Sequence, residues 1–288
     1  MKRIAAGITA LVLFAADVCA MDWPAPSLSL VRNFGWNDSG KPVTGAVFEG
    51  TGPVLAAEKG ELIFSHRTGN TASRLPSSLG AWAALDHGDG LISIYSRYED
   101  DQNAGIPVLA ERNDPVAAAG ISGWSQRSGV YFALYDRRER RWVNPSMIIT
   151  PFPDTRPPVI QSVSLKSADG RTIDPSRMRN IAQGRYAISI ITQDTMTSAA
   201  DSPLAPHRIV CSVNGAEIGA LSFETLSSRD GVLMAYRNGL VPAKQVYAPY
   251  PGFEVGEVWF NRGQATLELI VQDIAGNSRS ALFRLIIE

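Results

Sequence analysis

Short apolar runs broken by turn residues dominate this chain, and they leave little room for anything but strands. The runs include Leu28 to Val31, Val54 to Ala57, Glu61 to Ser65, Trp82 to Asp86, Leu91 to Tyr95 and Val130 to Tyr135. They continue through Val159 to Leu165, Tyr186 to Thr192, Ile209 to Val213, Val255 to Phe260, Ala265 to Gln272 and Ala281 to Ile287. Between them lie turns such as Asp38-Ser39-Gly40, Gly88-Asp89-Gly90 and Asn214-Gly215. Short apolar stretches bounded by Gly, Asn and Asp are the signature of strands. Asp89-Gly90 predicts a tight hairpin, because glycine supplies the positive φ that such a turn needs. No long segment shows a helical period, so the fold class read from the sequence is all-β.

Proline divides the pattern. Pro151, Pro153, Pro157 and Pro158 are interleaved with Asp154, Thr155 and Arg156. Proline fixes φ and removes a donor, which predicts a stiff, extended linker over residues 151–158. One β domain is expected before it, over residues 21–150, and a second over 159–288. The second ends in a hairpin around Asp273-Ile274-Ala275-Gly276-Asn277, which resembles the closing turn of bacterial immunoglobulin-like sandwich modules.

The first residues read as a targeting segment. Lys2 and Arg3 precede an apolar run from Ile4 to Ala16, and Val18-Cys19-Ala20 forms a small-residue cleavage site. This predicts a signal peptide over residues 1–20 and export to the periplasm or cell envelope. Lipidation at Cys19 is the alternative, although Ala16, Asp17 and Val18 depart from a lipobox. No other stretch is long and apolar enough to cross a bilayer as a helix. A net charge of -1 gives no footprint for nucleic acid. Cys211 lies in an apolar run and reads as a buried structural thiol. The chain has three histidines, His66, His87 and His207, so any histidine-based metal centre must be built from these.

A collinear set of segments carries a family resemblance. In order they are Trp23-Pro24, Asn33-Phe34-Gly35-Trp36, Gly45-Ala46-Val47-Phe48-Glu49-Gly50, Gly52-Pro53-Val54-Leu55-Ala56-Ala57 and Glu58-Lys59-Gly60-Glu61-Leu62. Asp86-His87-Gly88-Asp89-Gly90-Leu91, Gly120-Ile121-Ser122-Gly123-Trp124-Ser125 and Val143-Asn144-Pro145 follow. Over residues 23–150 this order resembles the lysostaphin-type, LytM-like zinc endopeptidases that cut peptide bridges in bacterial cell walls. The resemblance implies a compact antiparallel β-sheet with the site in a groove. The family supplies a His-x-x-x-Asp pair, a Tyr-x-His step and a His-x-His pair. By the resemblance, the first pair falls on Val43 and Val47, the step ends on Arg97, and the last pair falls on Gly129 and Tyr131.

None of these replacements is a natural zinc ligand. Valine has no lone pair, glycine no side chain, and arginine is permanently cationic. A lone tyrosine does not make a zinc site. The resemblance therefore implies a degenerate member with no catalytic residues, no metal ligands and no zinc cofactor. Degenerate members act as activators or scaffolds for cell-wall amidases, which makes peptidoglycan or an amidase the expected partner. Trp82, Tyr95, Arg97, Trp124 and Tyr131 are the candidate binding residues in the vacated groove, with core filling as the alternative for the aromatics. Two other readings stand beside this one. An active metalloendopeptidase would need a non-standard site from His66, His87, Asp86 and Asp89. A peptidoglycan-binding module would act without a partner protein. The charged run from Asp136 to Arg141 reads as a solvated hairpin tip or a contact patch, and the acidic stretch from Glu99 to Gly105 as a solvated loop.

Overall fold

The structure is a computed structural model that describes residues 21–67, 77–101, 105–197 and 202–288. The expected signal peptide with Cys19, and residues 102–104 of the acidic loop, lie outside the described residues.

The chain is all-β. The strands that position the site are β1 (Ser29–Arg32), β2 (Ala46–Glu49), β3 (Gly60–His66), β4 (Ala81–Asp86), β5 (Leu91–Tyr98), β6 (Gly129–Asp136) and β7 (Arg141–Val143). The second half contributes β8 (Val159–Ser167), β9 (Gly184–Gln193), β10 (Arg208–Val213), β11 (Ala216–Arg229), β12 (Phe253–Phe260), β13 (Gly263–Gln272) and β14 (Ser278–Ile287). Period-2 burial explains why these segments are strands. In β9, Tyr186, Ile188, Ile190 and Thr192 are buried and the residues between them are not. In β13 the same holds for Ala265, Leu267, Leu269 and Val271.

The turns follow the chemistry expected of them. Asp89 and Gly90 both take positive φ, 49° and 86°, and Leu91 N–H returns to the Gly88 carbonyl at 3.0 Å. Asn214 and Gly215 do likewise, at 52° and 80°, between β10 and β11. Both match the primed turns that suit the twist of a hairpin.

In the second half, β8, β9 and β12 form one antiparallel sheet. It faces β14, β13, β10 and β11 across a hydrophobic cluster that holds Leu165, Ile188, Ile190, Cys211, Leu221, Phe253, Leu267 and Leu285. In the first half, β3, β4, β5 and β6 pair in sequence, and a separate cluster holds Phe48, Leu85, Tyr95, Phe132 and Leu134.

The two halves share one sheet. Strand β7 pairs with β6 on one side and with β11 on the other, with Trp142 opposite Leu226. A short segment of the first half also plugs into the second. Phe34 is 1% exposed and belongs to the second half's cluster. The Asn37 amide donates to the carbonyls of Tyr247 and Gly252 at 3.0 and 2.7 Å, and the Tyr247 hydroxyl donates to the Gly35 carbonyl at 3.0 Å. In return, Met196 and Leu204 join the first half's cluster. Residues 151–158 carry neither helix nor strand, and Phe152 stacks on Trp23 at 5.0 Å between ring centroids. The halves are therefore joined by more than the proline segment.

Burial of Phe34 across that junction gives a stability test. Phe34→Ala removes a fully buried ring and leaves a cavity, which costs about 3–5 kcal/mol. Urea denaturation followed by tryptophan fluorescence should show that loss.

Candidate functional site

Strand register assembles the groove. Tyr131 on β6 lies opposite Val47 on β2 and opposite Ser96 on β5. On the far side of β5, Ser96 pairs with Trp82 and Tyr98 with Ala81, so Arg97 has no partner on β4. Arg97 is thus the extra residue of a β-bulge. Its φ is 66°, left-handed for a residue with a side chain, and its N–H goes to the Leu79 carbonyl at 2.8 Å. A left-handed non-glycine residue costs about 1–2 kcal/mol. Bulges re-aim a side chain. Here the Arg97 guanidinium carbon is brought over the Tyr131 ring, 5.3 Å from its centroid. The Tyr131 hydroxyl is hydrogen-bonded to Thr44 Oγ1 at 2.7 Å, and burial raises its pKa.

Arg97 opens into a groove of about 450 Å³. Val31 and Arg32 of β1, Val47, Phe48 and Glu49 of β2, and Val130 of β6 form its walls. The Trp124–Arg127 turn forms the rim, and Trp124 is 78% exposed there. Arg127 donates to the Glu49 carboxylate at 3.0 Å. Arg32 lies over the Trp36 ring at 5.3 Å and donates to the Val31 carbonyl. Among the described residues Arg97 has no ion pair, and its Nε is buried without a hydrogen-bond partner. Ser96 Oγ is likewise buried and unpartnered.

The sequence-derived candidates separate here. Arg97 and Trp124 share the groove, and Tyr131 lies against Arg97. Tyr95 is fully buried in the core instead. Its hydroxyl accepts from Ala57 N–H and Ser93 Oγ at 2.8 and 3.0 Å, and burial pushes it up to about 12. Trp82 stacks on Phe64 at 4.4 Å and does not line the groove. Val47 lines it; Val43 does not, and its backbone bonds to Gly35 and Trp36. Gly129 is packed so closely on β2 that a Cβ would sit 2.0 Å from the Phe48 carbonyl oxygen. Sequence reasoning did not single out Arg32 or Arg127. No spacing marks them, because the fold alone brings β1 and the 124–127 turn to the same wall.

The histidines do not converge on the groove. Both ring nitrogens of His87 are engaged, with the Lys59 carbonyl at 2.8 Å and Ser93 Oγ at 2.7 Å. Burial lowers its pKa. The neighbouring acids are paired too, Asp86 with Arg137 at 3.5 Å and Asp89 with Arg138 at 3.1 Å. His66 ends β3, opposite Trp82, and His207 lies 3.8 Å from Glu224. Cys211 is fully buried, and burial pushes its thiol up to about 12.

A catalytic zinc needs three protein donors. Among the described residues, the groove lining holds no histidine or cysteine, and its one carboxylate, Glu49, answers Arg127. This donor set does not fit zinc. Among the described residues, the group of acidic, His or Cys side chains close enough to share a cation is Asp154, Asp194 and Asp273, with oxygens within 4.8 Å of one another. An all-carboxylate set suits a hard cation rather than zinc. It shares no residue with the groove.

A family model matches residues 157–288. A protein of Treponema pallidum (strain Nichols), described as uncharacterized, is 27% identical over 146 residues, 46% of this chain and 98% of that protein. Among solved structures, the chain is similar to the catalytic domain of the prophage-encoded M23 protein EnpA from Enterococcus faecalis, in a mutant form. The identity is 19%, covering 44% of this chain and 95% of that one, with a TM-score of 0.36. It is also similar to a zinc-containing peptidase from Vibrio cholerae, at 18% identity over 46% of this chain and 41% of that one, TM-score 0.37. Lysostaphin from Staphylococcus simulans is 13% identical, over 74% of this chain and 84% of that one, TM-score 0.33.

Two tests follow from the geometry. Gly129→Ala forces β2 and β6 apart and should cost about 1–3 kcal/mol in thermal or urea unfolding. Asp194 is buried beside Asp273 and Asp154, and burial with those two charges raises its pKa from 3.8 to about 7. In that window the native chain binds more protons than the unfolded chain, so stability falls as pH rises from about 4 to 7. One proton limits the slope to about 1.4 kcal/mol per pH unit. Asp194→Asn should flatten it.

Proposed function

We propose that this is a non-catalytic cell-envelope protein whose first half is a zinc-free, LytM-like domain. In this reading it activates or scaffolds peptidoglycan hydrolases, amidases in particular, during wall remodelling, and it works in the periplasm or envelope after export. The second half, an immunoglobulin-like sandwich in the same reading, supplies a further contact or a spacer. One observation carries the proposal. The positions that resemblance assigns to metal and catalysis are Val43, Val47, Arg97, Gly129 and Tyr131, and the groove that Val47 and Arg97 line offers arginines where zinc needs neutral or anionic donors. The close packing at Gly129 adds support, since no side chain fits there on this backbone. The exposed Trp124 on the rim favours a second reading, direct binding of peptidoglycan without a partner protein.

Metal content decides the enzymatic question. The mature chain, residues 21–288, is dialysed, offered zinc, and analysed by mass spectrometry. Far less than one zinc per chain is expected, together with no cleavage of purified wall sacculi. A stoichiometric zinc would return the protein to the peptidases. For the activator role, micromolar protein should raise the rate of sacculus digestion by an added amidase. An unchanged rate would leave sacculus binding as the remaining role.

A further inference from the structure

We propose that the groove is a carboxylate-binding site, with Arg97 as its anchor and a short peptide as its ligand. This rests on reading the groove as a binding surface rather than a metal centre. It adds the chemistry of what binds.

Charge comes first. Among the described residues, three arginines, Arg32, Arg97 and Arg127, line the groove with one carboxylate, Glu49. Glu49 is taken by Arg127 at 3.0 Å, and Arg32 is held over Trp36. Arg97 is left without an ion pair among the described residues, and its buried Nε has no acceptor. A guanidinium partly withdrawn from water and unanswered among the described residues is suited to take an anion. The fold also places it deliberately. The bulge and the left-handed backbone at Arg97 are features that persist where a side chain must be aimed. Contact with the Tyr131 ring holds the guanidinium in one orientation.

Shape and polarity narrow the ligand. A planar guanidinium presents paired N–H donors that match the two oxygens of a carboxylate. Val47 and Val130 line the walls beside it, and Trp124 stands exposed at the rim. A group with one carboxylate and a modest apolar body fits these surfaces. The volume of about 450 Å³ lies in the range of small-ligand sites. A short peptide ending in a free carboxylate has this composition.

The test uses the mature chain and three probes in calorimetry. N-acetyl-trialanine with a free carboxylate should bind, and its C-terminal amide should bind at least about tenfold more weakly. A tripeptide amide with a central glutamate distinguishes a side-chain carboxylate from a terminal one; binding through either supports the carboxylate chemistry. Arg97→Gln should weaken the free acid about tenfold or more with an unchanged circular dichroism spectrum, and Arg97→Lys should fall between. Trp124→Ala should weaken acid and amide alike. Equal binding of acid and amide overturns the proposal, and this comparison on the unmodified protein stands even if Arg97→Gln fails to fold. Absence of saturable binding at millimolar peptide overturns it too, as does inorganic phosphate displacing the acid at equal concentration. If selectivity for the acid is lost while amidase stimulation persists, this inference alone fails. If selectivity holds while amidase rates stay unchanged, the activator role alone fails. One zinc per chain would remove both.

Discussion

Along one edge of β6, backbone pairing passes from β2 to β7 within a few residues, and both the groove and the junction follow from that handover. Residues Gly129 to Phe132 pair with β2, and Leu134 to Asp136 pair with β7. The opposite edge of β6 is taken by β5 from Tyr131 onward. Hydrogen bonds on both edges fix the register of all four strands, because a slip by one residue would turn Phe132 and Leu134 out of the core. The absence of a side chain at Gly129 lets β2 approach closely. That approach puts Val47 beside Tyr131, and Tyr131 beneath the cation from β5.

The groove is an electrostatic compromise. It holds a fixed positive charge against an aromatic face, with a neighbouring ion pair between Arg127 and Glu49 in view of solvent. Exposed ion pairs contribute little to stability. The strained backbone at Arg97 is likewise a cost that the rest of the sheet offsets. Features that cost stability and serve no packing purpose are where function is best sought.

Much of the fold is legible in the sequence because its causes are local. Strict alternation marks β9 and β13, and Asp89-Gly90 and Asn214-Gly215 announce their turns. Tyr95 shows where local reading stops. It looks like a groove aromatic by its place in the chain, yet its hydroxyl ties β5 to Ala57 inside the core. The bulge at Arg97 leaves no mark in the residue string, since it arises from a register shift between β4 and β5. Arg32, Arg127 and Glu49 meet only through tertiary pairing. Asp154, Asp194 and Asp273 are also far apart in sequence and close in space. Phe34 and Asn37 read as part of the first half, and nothing near them in sequence signals that their partners are Phe223-side core residues and the Tyr247 and Gly252 carbonyls.

The shared sheet also bears on how the molecule can be dissected. A cut through the proline segment would strip β7 and β11 of each other and expose two bare strand edges. It would also empty the slot that Phe34 fills. Unpaired edges recruit other chains, so each fragment would tend towards self-association, and a truncated first half would report on its own aggregation as much as on its groove.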